Sequence, residues 1–430
     1  MLFELLIGAE RDRVGVTLFI VADAAPVELR EIVAEPFKLL PAAVVKRPYV
    51  MEQATETAAA RVSAAGLKVV VGTAPVWALK QPVVNEPVLV NSYEEAVEKL
   101  GWCESWRDYT LCKEVKAQFS LFGLAPLVLV NVLDPEKHSA AKNAELAVNA
   151  GKALWEQQGV LLDTLVVKDG ETVLTPDADY TAAHDEDGNT AIALVGAQTV
   201  VQVSAAVCDP ALVEKEEVVG SVNTLTRKEC GLEAVRTVYP KLGKVPGMLL
   251  APGYSVYPEV CAALQAKAAR LNGSWRCLAV CDVDSGEGGA RDYTAVKAQK
   301  EKQALNSAFA VAAWPCGAVG EDVYWGSTLL SCALQAADEA NGDVPSVYAS
   351  NRVVPLTGAV MSGGEPVYLD QEQANEVNAA GVVTFANLSG FRVWGNNTCA
   401  YPGSSDPKDR WIGCRRFTNW AANNFILNYQ

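Results

Sequence analysis

Five short apolar runs do most to limit how this chain can fold: residues 67–71 (LKVVV), 126–133 (PLVLVNVL), 247–250 (GMLL), 276–283 (RCLAVCDV) and 309–315 (FAVAAWP). They are rich in β-branched residues and largely lack polar alternation, as expected of strands covered on both faces. Between them lie helical patterns. Ser92 with Glu95 makes an N-terminal capping signal, with Ala96, Val97 and Leu100 inward. Residues 110–122 place Leu111, Val115, Phe119 and Phe122 at helical spacing, and 259–271 do the same with Val260, Leu264, Ala268 and Leu271. Further helices are expected at 231–239, 297–304, 327–340 and 371–380. Strand and helix in alternation define an α/β layer.

The layer is interrupted. From His138 to about Ala205 the pattern changes to short strands and turns, with strands expected at 164–167, 172–174 and 191–194. Asp177, Asp179 and the run Asp185-Glu186-Asp187-Gly188 suggest calcium, but they lack EF-hand spacing and its terminal glutamate. A D-G hairpin turn is the expectation there, and the segment reads as an inserted β-rich domain.

Composition narrows the function classes. The chain has 430 residues, half of them apolar, and a formal net charge of −15, which argues against a general nucleic-acid binder. Its 11 cysteines form no C-x-x-C pair and only two histidines, His138 and His184, are present, so neither zinc nor a disulfide framework is expected. No apolar run is long enough to span a bilayer. Residues 14–22 mimic a signal peptide, but Glu10 and Asp12 sit among the arginines before them and the run is short, so a strand is expected.

Two stretches carry the candidate chemistry. In the first, Asp282, Asp284 and the Gly286–Gly289 loop follow an apolar run, where a glycine-rich turn can cradle a phosphate and paired carboxylates can exchange protons. Position 291 is arginine where G-x-G-x-x-G needs glycine, and no G-K-[ST] follows. A turn at the sheet edge is the plainer reading. The second stretch is residues 381–417. A strand at 381–387 and another at Phe391 and Val393 break at Trp394-Gly395-Asn396-Asn397, and a Pro/Gly/Ser/Asp loop follows. Asp409, Arg410, Arg415 and Arg416 then bracket Trp411, a cationic and aromatic ridge suited to a protein contact or to internal pairing with Asp406 and Asp409.

In order, Trp394-Gly395-Asn396, Thr398, Ala400-Tyr401-Pro402-Gly403, Asp406 to Arg410 and Arg415-Arg416 resemble the C-terminal signature of contractile phage and prophage tail sheath proteins. Residues 71–75 (VGTAP), 95–101, 126–135, 338–345 and 350–358 resemble further segments of that family. The resemblance implies a structural subunit rather than an enzyme. It would polymerise helically around a tail tube and contract to drive the tube through a target envelope, with no cofactor. Its partners would be other sheath subunits, the tube protein and the baseplate, without direct nucleic-acid contact or membrane insertion. The implied location is the virion tail, after assembly in the bacterial host cytoplasm. Arg410, Arg415, Arg416, Asp409 and Trp411 become candidates for subunit or tube contacts. The competing reading is a nucleotide- or small-ligand-binding α/β enzyme using the Gly286–Gly289 loop.

Family members continue beyond the TNWxxNxFIL helix, whereas this chain stops at Gln430 and its residues 14–35 look like that missing ending. A rearranged or circularly permuted order is therefore expected, with 37–48 as the joint. The expected fold class is α/β and α+β multidomain: a mixed-sheet α/β core, an inserted β-rich domain and a C-terminal α+β domain shared with the N-terminal strands. The expected boundaries are an N-terminal arm at 1–66 packing with 361–430, a core of 67–133 plus 206–360, the insert at 134–205, and a tube-facing C-terminal domain at 361–430.

Overall fold

A computed structural model describes residues 63–429, and the expectations for residues 14–35, the joint at 37–48 and most of the 1–66 arm lie outside the described residues. Nineteen strands follow in chain order: β1 Lys68–Gly72, β2 Pro87–Val90, β3 Leu127–Asn131, β4 Ser139–Ala147, β5 Lys152–Trp155, β6 Val166–Asp169, β7 Thr172–Val173, β8 Tyr180–His184, β9 Thr190–Leu194, β10 Val200–Cys208, β11 Met248–Leu250, β12 Leu278–Asp282, β13 Ala310–Ala313, β14 Cys316–Val319, β15 Asp322–Tyr324, β16 Gly358–Val360, β17 Pro366–Val367, β18 Thr384–Asn387 and β19 Phe391–Trp394.

The five apolar runs supply five strands of one sheet, ordered β13-β12-β11-β1-β3-β2. All neighbours are parallel except β2, which runs antiparallel to β3. Both faces are covered, which explains the unbroken apolar composition. Val69 and Val71 point to one face, where Val260, Leu264 and Ala268 of the Pro258–Ala269 helix pack. Val70 points to the other, against Leu329, Leu330 and Leu334 of the Gly326–Glu339 helix. Each fully buried Val or Leu contributes about 2 kcal/mol of transfer free energy.

Two helices depart from the sequence reading. Residues 110–122 begin as α-helix, Thr110–Val115, and widen into a π-helix, Lys116–Leu121. The wider turn brings Ala117 and Gln118 inward and leaves Phe119 and Phe122 half-buried. Residues 231–237 form a 3-10 helix, and only Val238–Leu242 is α-helical. Pro240 has no N–H to bond back toward the preceding turn, so a longer α-helix is disfavoured there.

The segment between β3 and β11 holds two antiparallel sheets, β4-β10-β6-β7 and β5-β9-β8, around Trp155, Val160, Val167, Tyr180, Ile192 and Val203. β4 and β10, its first and last strands, pair over nine residues, so this unit leaves and rejoins the core at one place. The 185–188 run is a hairpin turn between β8 and β9, with Asp185 Oδ1 accepting from the amides of Asp187 and Asn189.

After β13 the chain builds the sheet β15-β14-β16-β17 and the hairpin β18-β19. Val383 pairs in parallel with Ala313, so the hairpin prolongs the edge of the core sheet. The last described element is the helix Ile412–Tyr429.

Candidate functional site

The 381–417 stretch folds back on itself. The Trp394-Gly395 turn needs positive φ at Gly395 (130°), and a Cβ there would lie 2.9 Å from Asn378 Oδ1. Asn397 then donates to Asn378 O and Oδ1 at 3.1 and 3.0 Å and accepts from Arg410 Nε at 3.1 Å. Thr398 N donates to Arg410 O at 2.7 Å and Ile412 N to Asn396 O at 3.0 Å, which locks the turn to the segment after the loop. Asp406 caps the Pro407–Arg410 helix through the amide of Lys408, the usual role of an aspartate before a proline-started helix.

The arginines part ways. Arg410 is half-buried, its guanidinium between the rings of Tyr401 and Trp411 at 4.3 and 4.2 Å. Arg415 is buried, bonded to Asp409 and lying 4.4 Å over Phe309. Lys408 and Arg415 together hold the Asp409 carboxyl below its ordinary range. Arg416 is also buried and grips both oxygens of Asp338 while donating to Ala65 O. Internal pairing thus takes place, with Asp409 for Arg415 but with Asp338 rather than Asp406 for Arg416.

Five further anchors went unread in the sequence. Asn419 donates to Cys277 O, and Asn423 satisfies both backbone groups of Arg276, at 2.7 and 3.0 Å. Their i, i+4 spacing on the last helix was the available signal. Trp420 Nε1 reaches Ser63 O, and Ser63 N reaches Asn424 Oδ1. Lys300 is buried and donates to two carbonyls, Ala380 O at 2.8 Å and Tyr401 O at 2.6 Å, and burial lowers its pKa.

The glycine loop has a different character. Gly286 N donates to Asp284 Oδ1, Gly289 N to Gly286 O and Ala290 N to Asp284 O, so these amides are already occupied. A Cβ at Gly289 would sit 2.3 Å from Asp284 O, so the glycine is required by the turn's own closeness. The helix that follows is capped by Asp292. Asp282 does not share a site with Asp284: it is buried, accepting from Ser327 N and Oγ and Ser255 Oγ at 2.7 to 3.0 Å. Burial pushes its pKa up to about 6 against the hydrogen bonds that lower it. His138 is bound by Glu217 and the Asp134 amide, away from both aspartates. Among the described residues no group of three His, Cys, Asp or Glu could hold a metal ion, and no helix is long and apolar enough to cross a membrane.

This arrangement defines a mixed α/β, multi-sheet protein whose terminal segment is tied to the core by buried polar side chains, with an arginine between two aromatic rings at its rim. Over 349 residues it is 24% identical to the tail sheath protein of Burkholderia phage BcepMu, spanning 77% of this chain and 70% of that protein. The chain is thus similar in sequence to a phage tail sheath protein. Among solved structures, a chain of the anti-feeding prophage baseplate, seen by cryo-EM, aligns over 89% of this chain and 74% of that one, at 17% identity and a TM-score of 0.47. The crystal structure of the sheath tail protein from Desulfitobacterium hafniense aligns over 88% of this chain and 82% of that one, at 11% identity and a TM-score of 0.46. No protein-family model matches the chain.

Proposed function

We propose that this chain is a subunit of a contractile tail sheath, which polymerises helically around a tail tube and contracts to drive it through an envelope. The similarity to the phage tail sheath protein carries the reading. The energy of contraction would reside in two packings of the same subunit surfaces, so the mechanism calls for no cofactor. In this reading 67–133 plus 206–360 form the core, 134–205 protrudes from it, and 361–430 faces the tube. Ser63 and Ala65, which lead into β1, are hydrogen-bonded to the last helix of that domain. Arg410, Trp411 and Asp409 are the proposed contact residues toward tube or neighbouring subunits, because Arg410 and Trp411 remain partly accessible. Arg415 and Arg416 would shape that surface from beneath. The partners are other sheath subunits, the tube and the baseplate, in a virion tail assembled in the host cytoplasm. Negative-stain microscopy of the purified chain with a tail tube tests this: sheathed tubes are expected, and bare tubes beside dispersed protein would overturn it.

A further inference from the structure

A fully buried polar cluster lies between the central strand β1 and the Gly326–Glu339 helix. Lys68 is fully buried, and its Nζ contacts Glu114 Oε1 at 2.5 Å, Cys332 Sγ at 3.1 Å and Ser331 Oγ at 3.2 Å. Those three contacts use all three ammonium hydrogens. Glu114, also fully buried, has its other oxygen occupied by Thr328 Oγ1 at 2.6 Å. Cys332 is fully buried, with Gln118 Oε1 3.8 Å away as its other polar neighbour. An amine, a thiol and a carboxylate are thus held together in a dry site, where rearrangement is restricted and an ion pair is strongly felt.

We infer that Lys68 and Cys332 form an oxidative modification site, at which dioxygen joins them through a bridging oxygen atom, Nζ–O–Sγ. The step balances within the cluster. The Cys332 thiol and the Lys68 ammonium give up four electrons to one dioxygen molecule; one oxygen atom enters the bridge and the other leaves as water. Of the four hydrogens on the thiol and ammonium, one stays on nitrogen, two leave in water and one passes to the Glu114 carboxylate. Charge is conserved, because a cation and an anion become neutral groups. Thr328 keeps Glu114 turned toward the amine, and Ser331 fixes the amine beside the sulfur. Dioxygen is small and apolar enough to enter during local opening. Sulfenic acid, the ordinary first product of thiol oxidation, needs no lysine at all, which separates the two chemistries. The bridge would staple the central strand to the helix that also carries Asp338, the partner of Arg416.

The test uses the full chain, purified under reductant and then held under dioxygen. Intact mass spectrometry is expected to find a species heavier by one oxygen less two hydrogens, reverting with dithiothreitol. Digestion without reductant is expected to give one linked pair of peptides, containing Lys68 and Cys332. Lys68→Arg and Cys332→Ser should each abolish the species, and the peptide map of the unaltered chain stands even if either variant fails to fold. An unchanged mass overturns the inference. So does a gain of a whole oxygen on Cys332 alone, a direct N–S link, or a linked pair that maps elsewhere.

Discussion

The guanidinium of Arg416 and the carboxylate of Asp338, 78 positions apart, form a two-pronged ion pair in which both side chains are almost wholly shielded from water. It joins the N-terminal part of the last helix to the end of the Gly326–Glu339 helix, and through Ala65 O to the approach to β1.

Removing one partner strands the other. Arg416→Ala leaves Asp338 charged and buried, so about 3–5 kcal/mol of stability should be lost. Arg416→Lys keeps the charge but cannot span both oxygens, and should lose less. Urea denaturation of the three proteins checks this order; equal midpoints would show that the pair contributes nothing.

Asp282 makes stability depend on pH in an unusual direction. Its folded pKa of about 6 lies above the ordinary value of 3.8, so the folded state holds the proton more tightly than the unfolded one. The stabilisation from that proton is full below about pH 4 and is lost as pH rises through about 6. The difference amounts to about 3 kcal/mol. Asp282→Asn should remove this loss, since an amide can still accept from Ser327 N and meet the serine hydroxyls. Denaturation midpoints from pH 4 to 7 should fall more steeply for the unaltered chain than for the variant.

What could be read from the chain follows the range of the forces involved. The sheet strands were legible because burial on both faces demands continuous apolar runs, and the helix after Ser92 because its capping signal with Glu95 is local. β4 is alanine-rich and carries little alternation, and its strand conformation comes from nine pairs with the distant β10. The partners of the candidate arginines were half legible. Arg415 meets Asp409 six residues away, within reach of a local reading. Arg416 meets Asp338 only because two helices end side by side, and nothing near Arg416 in sequence signals that.

The Gly286–Gly289 loop should not bind nucleotide. Its amides at Gly286, Gly289 and Ala290 are satisfied by Asp284 and Gly286, and a phosphate would have to displace those bonds. Titration calorimetry with magnesium and ATP should give no binding heat. Gly289→Ala should lower stability by about 1–3 kcal/mol, because the added methyl meets Asp284 O. A saturable heat that Gly289→Ala abolishes would restore the nucleotide reading.

Arg410 should separate assembly from folding. Its guanidinium lies between Tyr401 and Trp411 and its Nε is bonded to Asn397, but the side chain remains partly accessible. Truncation to alanine should therefore cost the isolated chain only about 1–2 kcal/mol, the sum of a modest cation–π term and one hydrogen bond. At a subunit or tube contact the same side chain would be desolvated by the partner, where arginine and tryptophan concentrate binding energy. Arg410→Ala should accordingly leave a folded protein by circular dichroism while sharply reducing sheathed tubes in micrographs. Arg416→Ala should lower both readouts together. Tubes at undiminished frequency with Arg410→Ala would remove Arg410 from the contact surface and leave it as a brace for the Trp394 to Trp411 turn.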